Sequence, residues 1–158
     1  MTTQVGSQYY FDANALFKYY QDEKGSLRIR RLVARTPHPI LVSELTLLEC
    51  FSIAVKRHRQ KRLKKKVIRK MLKHLRKDVC AQIRPFTLIF MSDGLFHLAE
   101  NILLQYALTF DIGSNDALHL AIVKKLPLHS SPILVTSDNS MQKVCEQLSI
   151  PFYDPETE

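Results

Sequence analysis

Four acids stand where carboxylates can do chemistry: Asp12, Glu49, Asp116 and Asp138. Asp116 belongs to S-N-D-A-L-H-L-A, Ser114 to Ala121, which places one carboxylate in the first turn of an otherwise apolar helix. The helix dipole favours an acid there, and Ser114 or Asn115 suits the capping position ahead of it. Asp12 and Asp138 each follow directly on a short apolar run, and Glu49 lies in the helix that follows another. Taken singly, such an acid reads as a turn or capping residue. Four in matching contexts read as one cluster. Carboxylates in one crevice repel and raise one another's pKa unless a cation joins them. Oxygen donors of this kind suit Mg2+ or Mn2+, which keep several waters and hold phosphate. The six histidines form neither H-x-H nor H-E-x-x-H, so zinc is not indicated.

The acids need a scaffold that brings distant parts of the chain to one edge. Gln8 to Phe11 reads as a first strand with Asp12 at its carboxyl end, and Ala13 to Tyr20 as a helix. Gly25 and Ser26 interrupt, Leu27 to Arg35 resumes the helical pattern, and Pro37 and Pro39 stop it. Ile40 to Val42 is the second strand. Ser43 then caps a helix whose predicted buried stripe is Leu47, Leu48, Phe51, Ala54 and Val55, with Glu49 on its edge. From Lys56 to Ile83 the apolar residues Leu63, Val67, Ile68, Met71, Leu72, Leu75 and Val79 recur at helical spacing, which predicts one long basic amphipathic helix. Thr87 to Met91 is a third strand, Gly94 to Leu108 a helix, and Gly113 closes that segment before the Ser114 helix. Pro127 and Pro132 bracket a loop. Ile133 to Thr136 is the clearest strand, Ser140 to Leu148 a helix, and Phe152 to Tyr153 a last edge strand.

Strands alternating with helices predict an α/β fold, with a mainly parallel central sheet of four to five strands and helices on both faces. In such sheets ligands bind beyond the carboxyl ends of the strands. Asp12 and Asp138 emerge there, and Glu49 and Asp116 can join them from helices beginning at the same edge. A length of 158 residues with 46% hydrophobic content supports a single domain over 1–158.

The net charge of +8 is unevenly placed: residues 56–77 hold 13 of the 23 Lys and Arg and no acid. The remainder carries ten basic residues against 15 acidic ones, a net −5. A mildly acidic body with one strongly basic segment suits a polyanion partner, although a solvated helix face is the plainer reading. Cys50, Cys80 and Cys145 are too widely spaced for a disulfide framework or zinc ligation, which fits a reducing cytoplasmic setting. Met1 to Gly6 lacks the pattern of a signal peptide, and no apolar run nears the ~18 residues of a membrane span.

With these residues in view, the chain resembles the PIN-domain ribonucleases, most closely the VapC-like toxins of toxin–antitoxin pairs. The carriers are D-A-N at Asp12 to Asn14, S-E-L-T-L-L-E ending at Glu49, S-N-D-A-L-H-L-A around Asp116, and T-S-D at Thr136 to Asp138. The resemblance implies a single PIN-like domain in which Asp12, Glu49, Asp116 and Asp138 bind Mg2+ or Mn2+ and catalyse RNA cleavage. It also implies that Asn14 and Thr136 steady the acids, and that a small cognate antitoxin and a homodimer accompany the activity. The basic helix is expected to hold RNA phosphates through Lys65, Lys66, Arg69, Lys73 and Arg76, with its apolar residues facing inward. Two rivals remain at this level. One is an RNA-binding or scaffold module that kept the fold without the chemistry. The other is a phosphatase with Asp12 as nucleophile, which expects D-x-D where this chain has D-A-N. His119, inside an apolar helix, reads as a core residue rather than a catalyst.

Overall fold

The computed structural model describes residues 7–81, 84–127 and 132–157. Met1 to Gly6, the expected helix end at Ile83 and residues 128–131 of the expected loop lie outside that range. The elements run β1 (Tyr9–Phe11), α1 (Ala13–Tyr20), α2 (Ser26–Arg35), β2 (Ile40–Ser43), α3 (Glu44–Arg59) and α4 (Lys65–Cys80). They continue β3 (Phe86–Ile89), α5 (Leu95–Tyr106), α6 (Ser114–Lys125), β4 (Ile133–Val135), α7 (Asn139–Leu148) and β5 (Phe152–Tyr153). The five strands form one parallel sheet in the order β3-β2-β1-β4-β5, in register at Tyr10 with Leu41 and at Phe11 with Val135. Strand order reverses at β1, the central strand, which is where an open parallel sheet splays apart at its carboxyl edge.

The alternation of strand side chains explains the three layers. Tyr10, Leu41 and Leu134 turn to one face and pack with α5, α6 and α7. Phe11, Ile40, Val42 and Val135 turn to the other and pack with α1, α2, α3 and α4. Among the described residues no helix is long and apolar enough to cross a membrane.

Two expectations about the middle of the chain are corrected. First, the predicted single helix from Lys56 onward is two helices, because α3 stops at Arg59 and α4 starts at Lys65. No apolar residue occurs from Lys56 to Arg62, so nothing there anchors a helix face, and like charges at helical spacing repel. The turn is closed by Lys61 N–H to the His58 carbonyl (2.8 Å) and Arg62 N–H to the Arg57 carbonyl (2.9 Å), with Lys61 left-handed at φ 57°. Second, the buried stripe of α3 is rotated from the one expected. Leu45, Thr46, Cys50 and Ala54 are buried, while Leu48 is 66% and Val55 45% exposed. The cause is polar: Ser43 and Thr46 form a capping box, and the Thr46 hydroxyl donates to the Phe11 carbonyl at 3.1 Å, which sets the helix rotation.

Helix α4 follows the expected division more closely. Ile68, Met71, Leu75 and Val79 are buried, Leu63 and Leu72 are partly covered, and Lys65, Lys66, Arg69, Lys73 and Arg76 are exposed. Val67, expected to face inward, is 42% exposed. The Arg76 guanidinium stacks 5.3 Å from the Phe51 ring, which ties α4 to α3.

Truncation tests the observed packing of α3, with α4 as the reference. Leu75→Ala removes a side chain with no exposed surface and should cost about 2–5 kcal/mol, whereas Leu48→Ala should change stability by no more than about 0.5 kcal/mol. Denaturant titration of the two variants reads the difference, and a large loss for Leu48→Ala would contradict the observed rotation of α3.

Candidate active site

Strands β1 and β4 are neighbours, so the residues leaving their carboxyl ends emerge side by side. Asp12 caps α1, its Oδ1 accepting the Ala15 N–H at 2.7 Å. Asp138 caps α7 in the same way, accepting the Met141 N–H at 2.8 Å. Between them the buried Thr136 hydroxyl accepts the Asp138 N–H at 3.1 Å, and it favours the charged form of Asp12. Asp116 sits in the first turn of α6, where its Oδ2 accepts the Gly113 N–H at 2.7 Å. Gly113 is therefore the capping position, not Ser114 or Asn115. Asn115 is turned elsewhere, its amide donating to Glu49 Oε1 at 2.8 Å.

All four acids line one cavity of about 360 Å³, together with Asn14, His119 and, from the basic segment, Lys56. None of Lys65, Lys66, Arg69, Lys73 and Arg76 lines it. Among the described residues no three His, Cys, Asp or Glu side chains are arranged to hold a metal ion as they stand. The bonding explains this: Asp12, Asp116 and Asp138 each commit an oxygen to a backbone N–H, and Glu49 turns to His119, Nε2 to Oε2 at 2.6 Å. A separate cleft of about 390 Å³ beside α1 also holds acids, Asp22, Glu23 and Glu156, but each is neutralised by an ion pair, with Arg30, Arg57 and Lys18 respectively.

A family model for the PIN domain matches residues 9–147, which takes in every strand except β5 and all four acids. The chain belongs to the PIN domain family. No curated protein matches it in sequence. Solved structures match it in fold. A structure of FitAB bound to the IR36 DNA fragment is 13% identical, with a TM-score of 0.68 over 96% of this chain and 97% of that chain. VapBC2 from Rickettsia felis, bound to a DNA fragment from its promoter, is 16% identical with a TM-score of 0.60 over 92% and 97%. VapC20 from Mycobacterium tuberculosis, a sarcin-ricin loop cleaving toxin, is 12% identical with a TM-score of 0.65 over 86% and 94%. At such identities the likeness is one of fold.

The acids of this PIN domain differ in electrostatics. Burial pushes Asp12 above the usual carboxylate range, against the opposing pull of the Ala15 N–H, the His119 ring, Thr136 and Lys18. Asp116 is also raised, chiefly by burial and with Asp138 and Glu49 adding repulsion, while the Gly113 N–H works the other way. For Glu49 burial again raises the pKa, but the His119 bond and charge and the Asn115 bond outweigh it and hold the carboxyl low. Burial raises the Tyr10 phenol, so its proton stays on.

His119, Tyr10 and Asn115 are site residues that the sequence pattern assigns to the core or to capping. A signal for the first is present: a histidine among residues 117–123 that are otherwise apolar needs a polar partner when buried. Asn14 lines the cavity from an exposed position, and Thr136 supports the acids from beneath.

Linkage gives these shifts opposite signs. A raised folded-state pKa at Asp12 means the charged form costs stability, so Asp12→Asn should melt higher than the parent at pH 7 in chelator. That gain should shrink as pH falls through the raised pKa and vanish below the unfolded value. Glu49 is lowered, so Glu49→Gln should melt lower at pH 7, with the loss disappearing as pH falls through the depressed pKa. Thermal melts across that pH range check both, and equal signs would refute the assignment.

Proposed function

We propose that this PIN domain is an endoribonuclease dependent on Mg2+ or Mn2+, acting as the toxin of a toxin–antitoxin pair. The observation that carries the reading is the convergence of Asp12, Asp116 and Asp138 with Glu49 on one cavity at the carboxyl edge of the sheet, with Lys56 at its rim. The donor set fits a hard divalent cation, since every candidate ligand is a carboxylate oxygen and the cavity contains no cysteine. Asp12, Asp116 and Asp138 would hold the ion, and each has an oxygen outside its capping bond. A bound cation would supply the positive charge that acidifies water and offsets charge on phosphate.

The chain's own groups do the rest. Thr136 anchors the Asp138 backbone beside Asp12 and favours the charged form of Asp12, and Lys56 attracts the RNA phosphate to the rim. Glu49, ionised and fixed at both oxygens, accepts a hydrogen bond from the attacking water and orients it. Water adds across the phosphodiester, with hydroxyl bonding to phosphorus and proton passing to the departing ribose oxygen. The likeness to a sarcin-ricin loop cleaving toxin supports an RNA substrate, and the likeness to toxin–antitoxin complexes supports an antitoxin partner. The exposed Phe96, Leu104 and Leu108 on and after α5 support a homodimer through that face. The absence of a membrane-crossing helix among the described residues accords with a cytoplasmic setting.

Total RNA incubated with pure protein, followed by sequencing of cut ends, should show cleavage that needs Mn2+ or Mg2+. Asp12→Asn, Asp116→Asn and Asp138→Asn should each abolish it, and Mn2+ should raise the melting temperature of the wild type but not of the double Asp12→Asn, Asp116→Asn variant. Cutting that persists in chelator, or in all three variants, would end the proposal. Glu44→Gln should cut normally, since Glu44 accepts the Met91 N–H at 3.0 Å and lies off the cavity.

The exposed basic face of α4 is proposed to track the RNA backbone away from the scissile phosphate. Neutralising Lys65, Lys66, Arg69 and Lys73 in an Asp116→Asn background should weaken RNA binding. The log–log salt slope should fall by about 0.7 for each phosphate that is no longer neutralised, at nearly constant melting temperature. Filter binding over a salt series reads this, and an unchanged slope would remove α4 from the RNA path.

A further inference from the structure

Behind Glu49 a line of buried polar groups crosses the core, and burying such groups is tolerated only when they bond to one another. Tyr10 is 0% and His119 2% exposed. Tyr10 leaves the central strand toward α6, and its hydroxyl meets Ser43 Oγ at 2.9 Å, Thr46 Oγ1 at 3.3 Å and His119 Nδ1 at 2.6 Å. Ser43 and Thr46 are themselves pinned, since Ser43 Oγ accepts the Thr46 N–H at 3.1 Å and the Thr46 hydroxyl donates to the Phe11 carbonyl. The phenol is therefore fixed before the histidine is considered.

With Nδ1 occupied by Tyr10, the ring presents Nε2 to the cavity, where its N–H donates to Glu49 Oε2 at 2.6 Å. Asn115 takes the other oxygen at 2.8 Å. An apolar side chain at 119 would suit the surrounding helix equally well, because its neighbours Ala117, Leu118, Leu120, Ala121, Ile122 and Val123 are all buried and apolar. The histidine has one polar outlet at each nitrogen, and the outer one is Glu49.

We infer that His119, held by Tyr10, is a positioning residue for the reaction proposed above: it locks Glu49 in a single rotamer outside the donor set of the three aspartates, where the carboxylate orients the attacking water. The inference rests on the nuclease reading and separates Glu49 in role from Asp12, Asp116 and Asp138. A carboxylate tied at both oxygens to a ring and an amide is directional in a way that a free Glu on a helix surface is not, and catalytic groups need that precision.

The test has readouts that do not depend on turnover. In metal-free protein labelled with 15N-histidine, a slowly exchanging ring proton on His119 Nε2 should be visible, should be lost in Tyr10→Phe and should shift in Glu49→Gln. Calorimetric titration should leave the Mn2+ affinity of His119→Leu within about twofold of wild type while Asp116→Asn loses it. Cleavage kcat should fall about 10- to 100-fold in His119→Leu and Tyr10→Phe with KM little changed, the scale of losing an outer partner of a reacting group. His119→Gln, which keeps a donor at similar reach, should recover part of that loss. Wild-type kcat in His119→Leu, or a loss of Mn2+ affinity matching Asp116→Asn, would overturn the inference. Should His119→Leu not fold, Tyr10→Phe and the wild-type spectrum still decide it, and a ring proton on Nδ1 with none on Nε2 would overturn it. A wild type that neither binds Mn2+ nor cuts RNA would instead defeat the nuclease reading, leaving the ring spectrum as a separate result on the lock.

Discussion

Asp12 is a carboxylate held at the carboxyl end of the central strand with 3% of its surface exposed. An acid in that position is tolerated because the surrounding chain compensates it: the Ala15 N–H donates from the helix that Asp12 itself caps, and His119, Thr136 and Lys18 also favour its charge. Those partners are gathered by the strand order. With β4 beside β1, Thr136 and Asp138 arrive next to Asp12. With β2 on the other side, Ser43 and Thr46 arrive beneath Tyr10. The parallel sheet and its reversal at β1 thus precede every feature of the cavity.

Capping and site-building use the same atoms here. Asp12, Asp138 and Asp116 each satisfy a backbone N–H at a helix start while facing a common cavity. Helix starts gather at the carboxyl edge of a parallel sheet, so acids chosen as caps converge there without further design. Burial then makes their charge unfavourable, which raises Asp12 and Asp116, and repulsion from Asp138 and Glu49 adds to it at Asp116; a cation would offset both. Glu49 is the exception. Its partners are side chains, and they come from α6 rather than from its own helix.

The basic segment is built by a different logic. Its first part, Lys56 to Lys64, has no continuous apolar face and breaks into a turn, while α4 has one and packs by Ile68, Met71, Leu75 and Val79. The result is a basic surface in two pieces. Lys56 at the end of α3 reaches the cavity rim, and the charges of α4 face solvent without lining it. Charge density alone does not distinguish these pieces, because it is nearly uniform along the segment.

Much of this protein is legible in its sequence. The α/β alternation, the strand positions and the placing of Asp12, Glu49, Asp116 and Asp138 on one cavity follow from local signals: apolar runs of strand length, helical periodicity, and acids just after them. These are short-range, so they survive without knowledge of partners. Three matters were decided by tertiary structure. The rotation of α3 depends on the Thr46 bond to Phe11, 35 positions away, and not on which of its residues are apolar. The helix break after Arg59 depends on whether a face exists to bury. The turning of Glu49 toward His119 depends on a ring fixed by Tyr10, from a strand 109 residues earlier. A periodicity identifies which residues can be buried, but which buried polar groups meet is set by the sheet order and the packing of α6 against it.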